Sequence, residues 1–401
     1  MRKTQLTSPE NRAIMRAAKQ NTKETGAMDF TELTAYLDAI PTLGVPGCDM
    51  AIYQDHKQLY RHSAGFRDAE KTQPVKPDDT YWLFSCTKLF TTCAAMQLIE
   101  RGKINLDDPV SDYLPAYQNM TVKDGDAVRP AKRVMTIRHL MSMQSGLNYN
   151  LEAPSIKAVL KETNRQATTR QIVDALAKEP LEFDPGDDFL YSLSHDVLAA
   201  VIEVVSGKKF SEYLQENIFA PLGLDTLSFA LTPELRKRQA VQVMHHEDNS
   251  FTPMDPNDNW FCFTPNYESG GAGLIGDVKN LITFLDAVAC NGTSADGKKI
   301  VSPEMIQLWS ANQLGPKARA SFDAWNRKGY SYGLGVRTRV DNSLGGRGQQ
   351  GEFGWDGAAC SWAMIDPVNH LSAFFAMHVR SFGYAYDVIH PTLRDLLYKG
   401  L

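Results

Sequence analysis

Apolar positions recur at helical spacing most clearly between Tyr81 and Gly102 (YWLFSCTKLFTTCAAMQLIERG). Leu89, Phe90, Cys93, Met96 and Ile99 fall on that period, which predicts a buried helix ended by Gly102. The same spacing predicts helices at 29–40 (DFTELTAYLDAI), 135–147 (MTIRHLMSMQSGL), 168–178 (TTRQIVDALAK), 195–207 (HDVLAAVIEVVSG) and 210–224 (FSEYLQENIFAPLGL). After Pro46-Gly47, DMAIYQ, a polar turn at Asp55-His56-Lys57 and QLYRHSAG predict a β-hairpin. Strand character returns at 331–340 (SYGLGVRTRV). A second hairpin follows, 357–366 (GAACSWAMID) and 370–379 (HLSAFFAMHV) around Pro367-Val368-Asn369. A last helix, about 384–399, contains Pro391 and is expected to kink or start late. Between 225 and 264 the periodicity fades into Pro, Asn, Asp and aromatic residues, predicting long loops.

Strands at both ends with helices between predict an α/β (α+β) architecture. An antiparallel sheet is flanked by terminal helices and the Ser85 helix. Residues 29–110 and 265–401 form one discontinuous α/β domain, 111–264 a mostly helical insertion, and 1–28 a polar extension in which Ser8-Pro9-Glu10 can open a short helix. The length of 401 residues also favours two domains.

Composition narrows the function classes. Hydrophobic content of 43% and charged content of 22% are ordinary for a soluble globular chain. A net charge of -5 argues against a nucleic-acid partner. No run of eighteen apolar residues suits a membrane span. The N-terminal stretch MRKTQLTSPENRAIMRAAKQNTKE is basic and lacks the apolar core of a secretory signal, so a cytoplasmic location is expected. Cys48, Cys86, Cys93, Cys262, Cys290 and Cys360 show no C-x-x-C pair or metal spacing, which predicts reduced thiols and no metal or cofactor.

Candidate chemistry gathers in three stretches. Ser85 and Lys88 lie at i and i+3, hence on one face at the start of a buried helix. A desolvated lysine with a lowered pKa can take the serine proton, and a helix N-terminus favours developing negative charge. Serine and lysine at this spacing recur by chance, so weight comes from the other two stretches. Tyr191, in DPGDDFLYSLSHDVL, follows the Pro185-Gly186 turn. If the phenol reaches Lys88, its pKa can fall and it can act as a general base. Gly354-Trp355-Asp356-Gly357-Ala358 runs into a predicted strand whose small residues admit a substrate, and whose amides suit an oxyanion hole.

Together these stretches resemble the serine β-lactamase and penicillin-recognising proteins. The likeness is to the class C-like branch and, within it, to the family VIII carboxylesterases. It spans nearly all of 29–401 and includes VPGCDMAIYQ, SCTK, MQLIERGKINLDDPVSDYLP, RHLMSMQSGL, YSLSHDVLAAVIEVVSG, FAPLGLDT, ESGGAGLIGD and YSYGLGV. The resemblance implies a β-lactamase/transpeptidase-like fold and an acyl-enzyme on Ser85. Lys88 would assist, Tyr191 would shuttle protons, and the amides of Ser85 and Ala358 would hold the oxyanion. Trp355 and Gly357 would contact substrate. Two departures set the chain apart from the lactamases. Leu193 replaces the asparagine of the tyrosine box, and Trp355-Asp356-Gly357 replaces Lys-Thr-Gly. Cys360 stands where a glycine is common. The resemblance therefore implies a serine hydrolase acting on a small carboxylic ester. The alternatives are a β-lactamase or D-Ala-D-Ala peptidase, an acyltransferase on the same site, and a non-catalytic binder, the last disfavoured by the intact Ser85, Lys88 and Tyr191.

Other patterns compete less well. Gly329-Tyr330-Ser331-Tyr332-Gly333 matches a nucleophile elbow, but the residues after it alternate like a strand where that motif needs a helix. Gly270-Gly271-Ala272-Gly273 does not fit a dinucleotide fingerprint and is expected to let backbone pass close to the site. His245-His246-Glu247-Asp248 lacks metal spacing. Trp260, Phe261, Phe263, Tyr267 and Trp325 are candidates for an acyl pocket or for core.

Overall fold

The computed structural model describes residues 28–401. The expected short helix at Ser8-Pro9-Glu10 lies outside them. Seven strands form one antiparallel sheet: β1 (Gly47–Gln54), β2 (Lys57–Gly65), β3 (Tyr330–Tyr332), β4 (Arg337–Arg339), β5 (Phe353–Gly354), β6 (Trp362–Asp366) and β7 (Leu371–Met377). Their spatial order is β2-β1-β7-β6-β5-β4-β3, so the two ends of the chain meet at the β1–β7 pair.

Strand alternation divides the core around this sheet. Met50, Ile52, Phe375 and Met377 face α1 (Thr31–Ala39) and α5 (His390–Gly400), where Leu33, Leu37, Leu393 and Leu397 cover them. Ala51, Phe374 and Ala376 face the other way, with Leu281, Phe284 and Leu285 of α4 (Val278–Ala289) in the same apolar cluster. The predicted Ser85 helix is α2 (Thr87–Glu100), and it is buried on every side from Thr87 to Leu98. Beside it runs α3 (Ser194–Ser206), whose apolar run Val197–Ile202 is wholly buried and which Gly207 ends in the left-handed conformation.

Several elements differ from their sequence patterns. The run 331–340 is two short strands, not one. Gly333 donates to the Val336 carbonyl at 2.8 Å and Gly335 has φ +79°, so the chain folds back while its alternation continues. The strand expected from 357 begins only at Trp362, because the Gly357 N–H donates to the Ser361 carbonyl at 2.9 Å and closes a turn. Cys360, with φ +67°, occupies the left-handed region in that turn, which is where a glycine is at ease. The helix expected over 135–147 spans only Ile137–Met141. Beyond it Met143 and Gly146 have positive φ, and a Cβ at Gly146 would lie 2.3 Å from the Phe183 carbonyl. The loops of 225–264 contain a helix at Pro233–Arg238 and strands Val243–His245 and Phe251–Pro253, the first pairing with Val379–Arg380. A hairpin, Thr121–Asp124 with Ala127–Pro130, also lies in the stretch read as mostly helical. The last helix starts late: a wide turn at Ala385–Ile389 precedes α5, with Pro391 in its first turn.

Gly354 fixes the entry to the third candidate stretch. Its φ is +159°, and a Cβ there would lie 2.0 Å from the Ala363 carbonyl oxygen. Gly354→Ala is expected to cost about 1–3 kcal/mol in urea unfolding. Gly383→Ala, where an added Cβ meets nothing within 4 Å, should stay within about 0.5 kcal/mol of the parent.

Candidate active site

Ser85 sits in a single tight turn, Phe84–Cys86, that leads directly into α2. Phe84 has φ +45°, a conformation that is strained for a bulky residue. Its ring is fully buried and packs edge-on against Phe261. That packing holds the strained turn, which brings Ser85 onto the Lys88 face of the helix.

Lys88 is completely buried, and its three donors are all engaged. Nζ donates to Ser85 Oγ at 3.2 Å, to the Tyr149 hydroxyl at 3.2 Å and to the Gly271 carbonyl at 2.8 Å. Burial pushes its pKa down to about 7, against the opposing pull of the Asp196 charge. Asp196 itself accepts from Tyr267 at 2.8 Å and Ser269 at 2.6 Å through Oδ1, while Oδ2 has no protein partner. Burial raises its pKa. The glycine run passes between the two charges: a Cβ on Gly271 would lie 2.6 Å from Asp196 Oδ2 and 3.4 Å from Lys88 Nζ.

Two tyrosines close the site. The Tyr149 and Tyr191 hydroxyls both face the Ser85 hydroxyl, and their rings lie 5.4 Å apart. Lys88 Nζ is 4.6 Å from the Tyr191 ring centroid. Contrary to the expected lowering, burial pushes both phenols above their ordinary range. Tyr149 was not singled out in the sequence. The one cue to it was Gly146, which releases the chain from the preceding helix three residues earlier.

The Gly354–Ala358 stretch reaches the same place. Cys86 donates to the Trp355 carbonyl at 3.6 Å, and a Cβ on Gly357 would lie 2.5 Å from the Leu83 carbonyl. This brings the Ala358 backbone beside the Ser85 turn, and no backbone or side-chain group of the described residues accepts the Ala358 N–H. The Trp355 indole N–H donates to the Tyr191 oxygen at 2.8 Å. Asp356 pairs with Arg337 at 2.7 Å and Arg327 at 3.2 Å. Burial alone would raise its pKa, but the Arg337 charge holds it well below the usual carboxylate range. These arginines, like Asp196, carried no motif.

The competing patterns lie elsewhere or do other work. Ser331 is buried in β3 opposite Thr338 and donates to Asn312 Oδ1. His245 packs between Phe251 and Phe382, whereas His246 bonds Thr252 at 2.7 Å, so the pair shares no ligand point. Of the five aromatics, Phe261 packs edge-on against Tyr149 and Trp325 edge-on against Tyr191. Phe263 and Tyr267 pack on each other within the core, and Trp260 is half exposed. Leu193 is buried in the core and does not line the site. Among the described residues, one donor set approaches metal spacing: His56, Asp286 and Cys290, with ligand atoms within 4.8 Å of one another. His56 Nδ1 and Asp286 already bond at 2.7 Å, and burial pushes the Cys290 thiol up to about 12, which suits a hydrogen-bonded turn better than a metal.

The sheet, the buried serine–lysine pair and the flanking tyrosines define a penicillin-recognising-type fold. The profile of the Beta-lactamase family matches residues 23–396, and the chain belongs to that family. It is similar to monacolin J acid methylbutanoyltransferase of Aspergillus terreus, 30% identical over 306 residues and 71% of each chain. It is also similar to esterase EstB of Burkholderia gladioli, 29% identical over 66% of this chain and 72% of that one. Among solved structures, EstCE1, a hydrolase with promiscuous acyltransferase activity, superposes with a TM-score of 0.76 at 24% identity. It covers 92% of this chain and 98% of that one. The chain is a serine hydrolase or acyltransferase of this fold, on the branch of the family VIII-like esterases. No helix among the described residues is long and apolar enough to cross a membrane.

The amine's environment has a measurable consequence for stability. Folded Lys88 releases its proton near 7, whereas in the unfolded chain it holds it to about 10.4. Between those values the unfolded state binds more protons, so Lys88 adds stability as pH rises, by about 1.4 kcal/mol per pH unit. The difference in unfolding free energy between the parent and Lys88→Met should therefore climb from pH 7.5 to 9.5. A flat difference would show that the amine keeps its ordinary pKa.

Proposed function

We propose that the protein hydrolyses small carboxylic esters through an acyl-enzyme on Ser85. The observation that carries this reading is the buried Lys88 amine, with a pKa near 7, 3.2 Å from the Ser85 hydroxyl. Neutral Lys88 takes the hydroxyl proton as Ser85 Oγ bonds to the ester carbonyl carbon. The resulting oxyanion lies between the amides of Ser85 and Ala358. As the intermediate collapses, the ester C–O bond breaks and the alkoxide leaves with a proton supplied through Tyr191. Water then adds to the acyl-enzyme by the same proton path, and the acid departs. Tyr149 and the Gly271 carbonyl hold the lysine nitrogen beside the serine.

Plain esters suit this site better than β-lactams. A lactamase meets the lactam's amide with the asparagine of its tyrosine box and the lactam's carboxylate with the lysine of its third box. Leu193 turns into the core, and the Trp355 N–H is already given to Tyr191. A hydrogen bond to a charged group contributes roughly 1.5–3 kcal/mol and a neutral one about 1, so lacking both at these two boxes costs about two to three powers of ten. The aromatic wall of Trp325, Trp355 and Tyr191 suits an apolar part of an ester.

A second reading rests on the 30% identity to an acyltransferase: an alcohol replaces water in the second half-reaction. Added alcohol would then divert product from acid to new ester.

Ser85→Ala is expected to lower kcat/KM for p-nitrophenyl butyrate by ~1000-fold or more, with the fold intact by circular dichroism. Ser331→Ala should change it by less than about threefold, since Ser331 is sealed in a strand. The reverse pattern would place the nucleophile in the wrong box. On one preparation, kcat/KM for p-nitrophenyl butyrate should exceed that for nitrocefin by about two powers of ten or more. Equal turnover would restore the lactamase reading. Activity should also fall below about pH 7, as Lys88 takes up its proton.

A further inference from the structure

Four arginines are buried among the described residues: Arg337, Arg339, Arg380 and Arg394. Three give their protons to acceptors. Arg337 donates to Asp356 and the Ala363 carbonyl, Arg339 to Asn342 and the Leu344 carbonyl, and Arg394 to the Tyr330 hydroxyl. Arg380 differs. It is 6% exposed, makes no side-chain hydrogen bond or ion pair among the described residues, and its Nη1 is buried without a partner. A buried guanidinium without an acceptor is costly, and folded proteins rarely leave one so.

Its surroundings are the walls of the site. The guanidinium carbon lies 4.6 Å from the Phe84 ring centroid and 4.3 Å from that of Trp260, with Phe261 at 5.8 Å. Phe84 immediately precedes Ser85, and Phe261 packs edge-on against Tyr149. On the chain, the preceding Val379 N–H donates to the Ala359 carbonyl at 3.2 Å, one residue beyond the oxyanion amide. Aromatic faces hold a guanidinium by its plane and leave its edge, where every N–H points, free to bond. Trp260 is half exposed, so the aromatic faces around Arg380 reach the surface.

We propose that Arg380 is a specificity residue that receives a carboxylate of the substrate, so that the preferred esters are those of acids or alcohols bearing one additional carboxylate group. This deepens the ester-hydrolase reading and rests on it. A single guanidinium matches a single planar carboxylate in charge and in its two-point geometry. The aromatic stack keeps the cation oriented before substrate arrives.

The test compares acids with their own methyl esters, so that a general loss of activity cancels. One pair places the carboxylate on the leaving group, 4-carboxyphenyl butyrate against its methyl ester. The other places it on the acyl group, p-nitrophenyl hydrogen adipate against p-nitrophenyl methyl adipate. In the parent, the acid of at least one pair is favoured in kcat/KM by about tenfold to a hundredfold. The preference disappears in Arg380→Met and survives in part in Arg380→Lys. The pair that responds tells which half of the ester reaches Arg380. No acid preference in either pair, or a preference that persists in Arg380→Met, overturns the proposal while leaving ester hydrolysis standing. Should no ester be turned over, calorimetric titration with adipate decides. Saturable binding lost in Arg380→Met supports the carboxylate site, and equal or absent binding overturns it. If Arg380→Met fails to fold, Arg380→Lys with its shorter reach carries the same comparison, and an unchanged preference or affinity in it overturns the proposal.

Discussion

The chemistry of this fold depends on keeping one amine dry and away from any carboxylate. Lys88 sits in a helix that is buried all round, and its three contacts are a hydroxyl, a phenol and a carbonyl. None carries a full charge, so these contacts compensate the ammonium form only in part for the water it has lost. The nearest anion, Asp196, is held one layer back by Tyr267 and Ser269. Gly271 is the spacer. With no side chain there, backbone slides between the two charges and presents its carbonyl to Lys88. A direct Lys88–Asp196 pair would return the amine toward its ordinary pKa and leave it protonated at neutral pH. The glycine run, which has no catalytic atom of its own, therefore sets the acid–base state of the site.

A second constraint orders the opposite wall. Asp356 is locked by Arg337 and Arg327, and Gly354 lets the strand end turn at a place where a Cβ would strike Ala363. Between these two anchors Trp355 has little freedom, and its indole N–H meets the Tyr191 oxygen. Removing one partner from a buried ion pair leaves an uncompensated charge, which is among the larger penalties a fold can suffer. The aromatic residues around Tyr191 are thus positioned by charges paired behind them.

Local signals in the sequence were legible where one period or one motif ruled. The α2 period, the spacing of Ser85 and Lys88, the β1–β2 hairpin and the box at Trp355 could all be read directly. Boundaries failed where alternation ran on through a turn, as at Gly333–Val336, because a pattern of side chains does not record the backbone bond that reverses it. Tyr149, Asp196 and Arg337 were missed for a different reason. Each acts through a partner distant in sequence: Tyr149 through Lys88, Asp196 through Gly271, and Arg337 through Asp356. Nothing in a single chain links such positions. The environment of Tyr191 was misjudged likewise. Nearness to a lysine suggests a lowered phenol pKa only if that lysine is charged, and here burial acts on both.

That last point bears on the division of labour at the site. A phenol held above its ordinary pKa stays protonated at neutral pH and cannot act as a base until that proton has moved. Tyr191 accepts from Trp355 through its oxygen, and its hydroxyl faces that of Ser85. Tyr149 instead spends its oxygen on Lys88. On the proposed route the neutral amine removes the serine proton, and Tyr191 passes a proton on to the departing alkoxide. A lysine and a tyrosine in one dry cavity are pushed in opposite directions by the same loss of water. Burial lowers the one and raises the other until their roles separate, and no histidine is required between them.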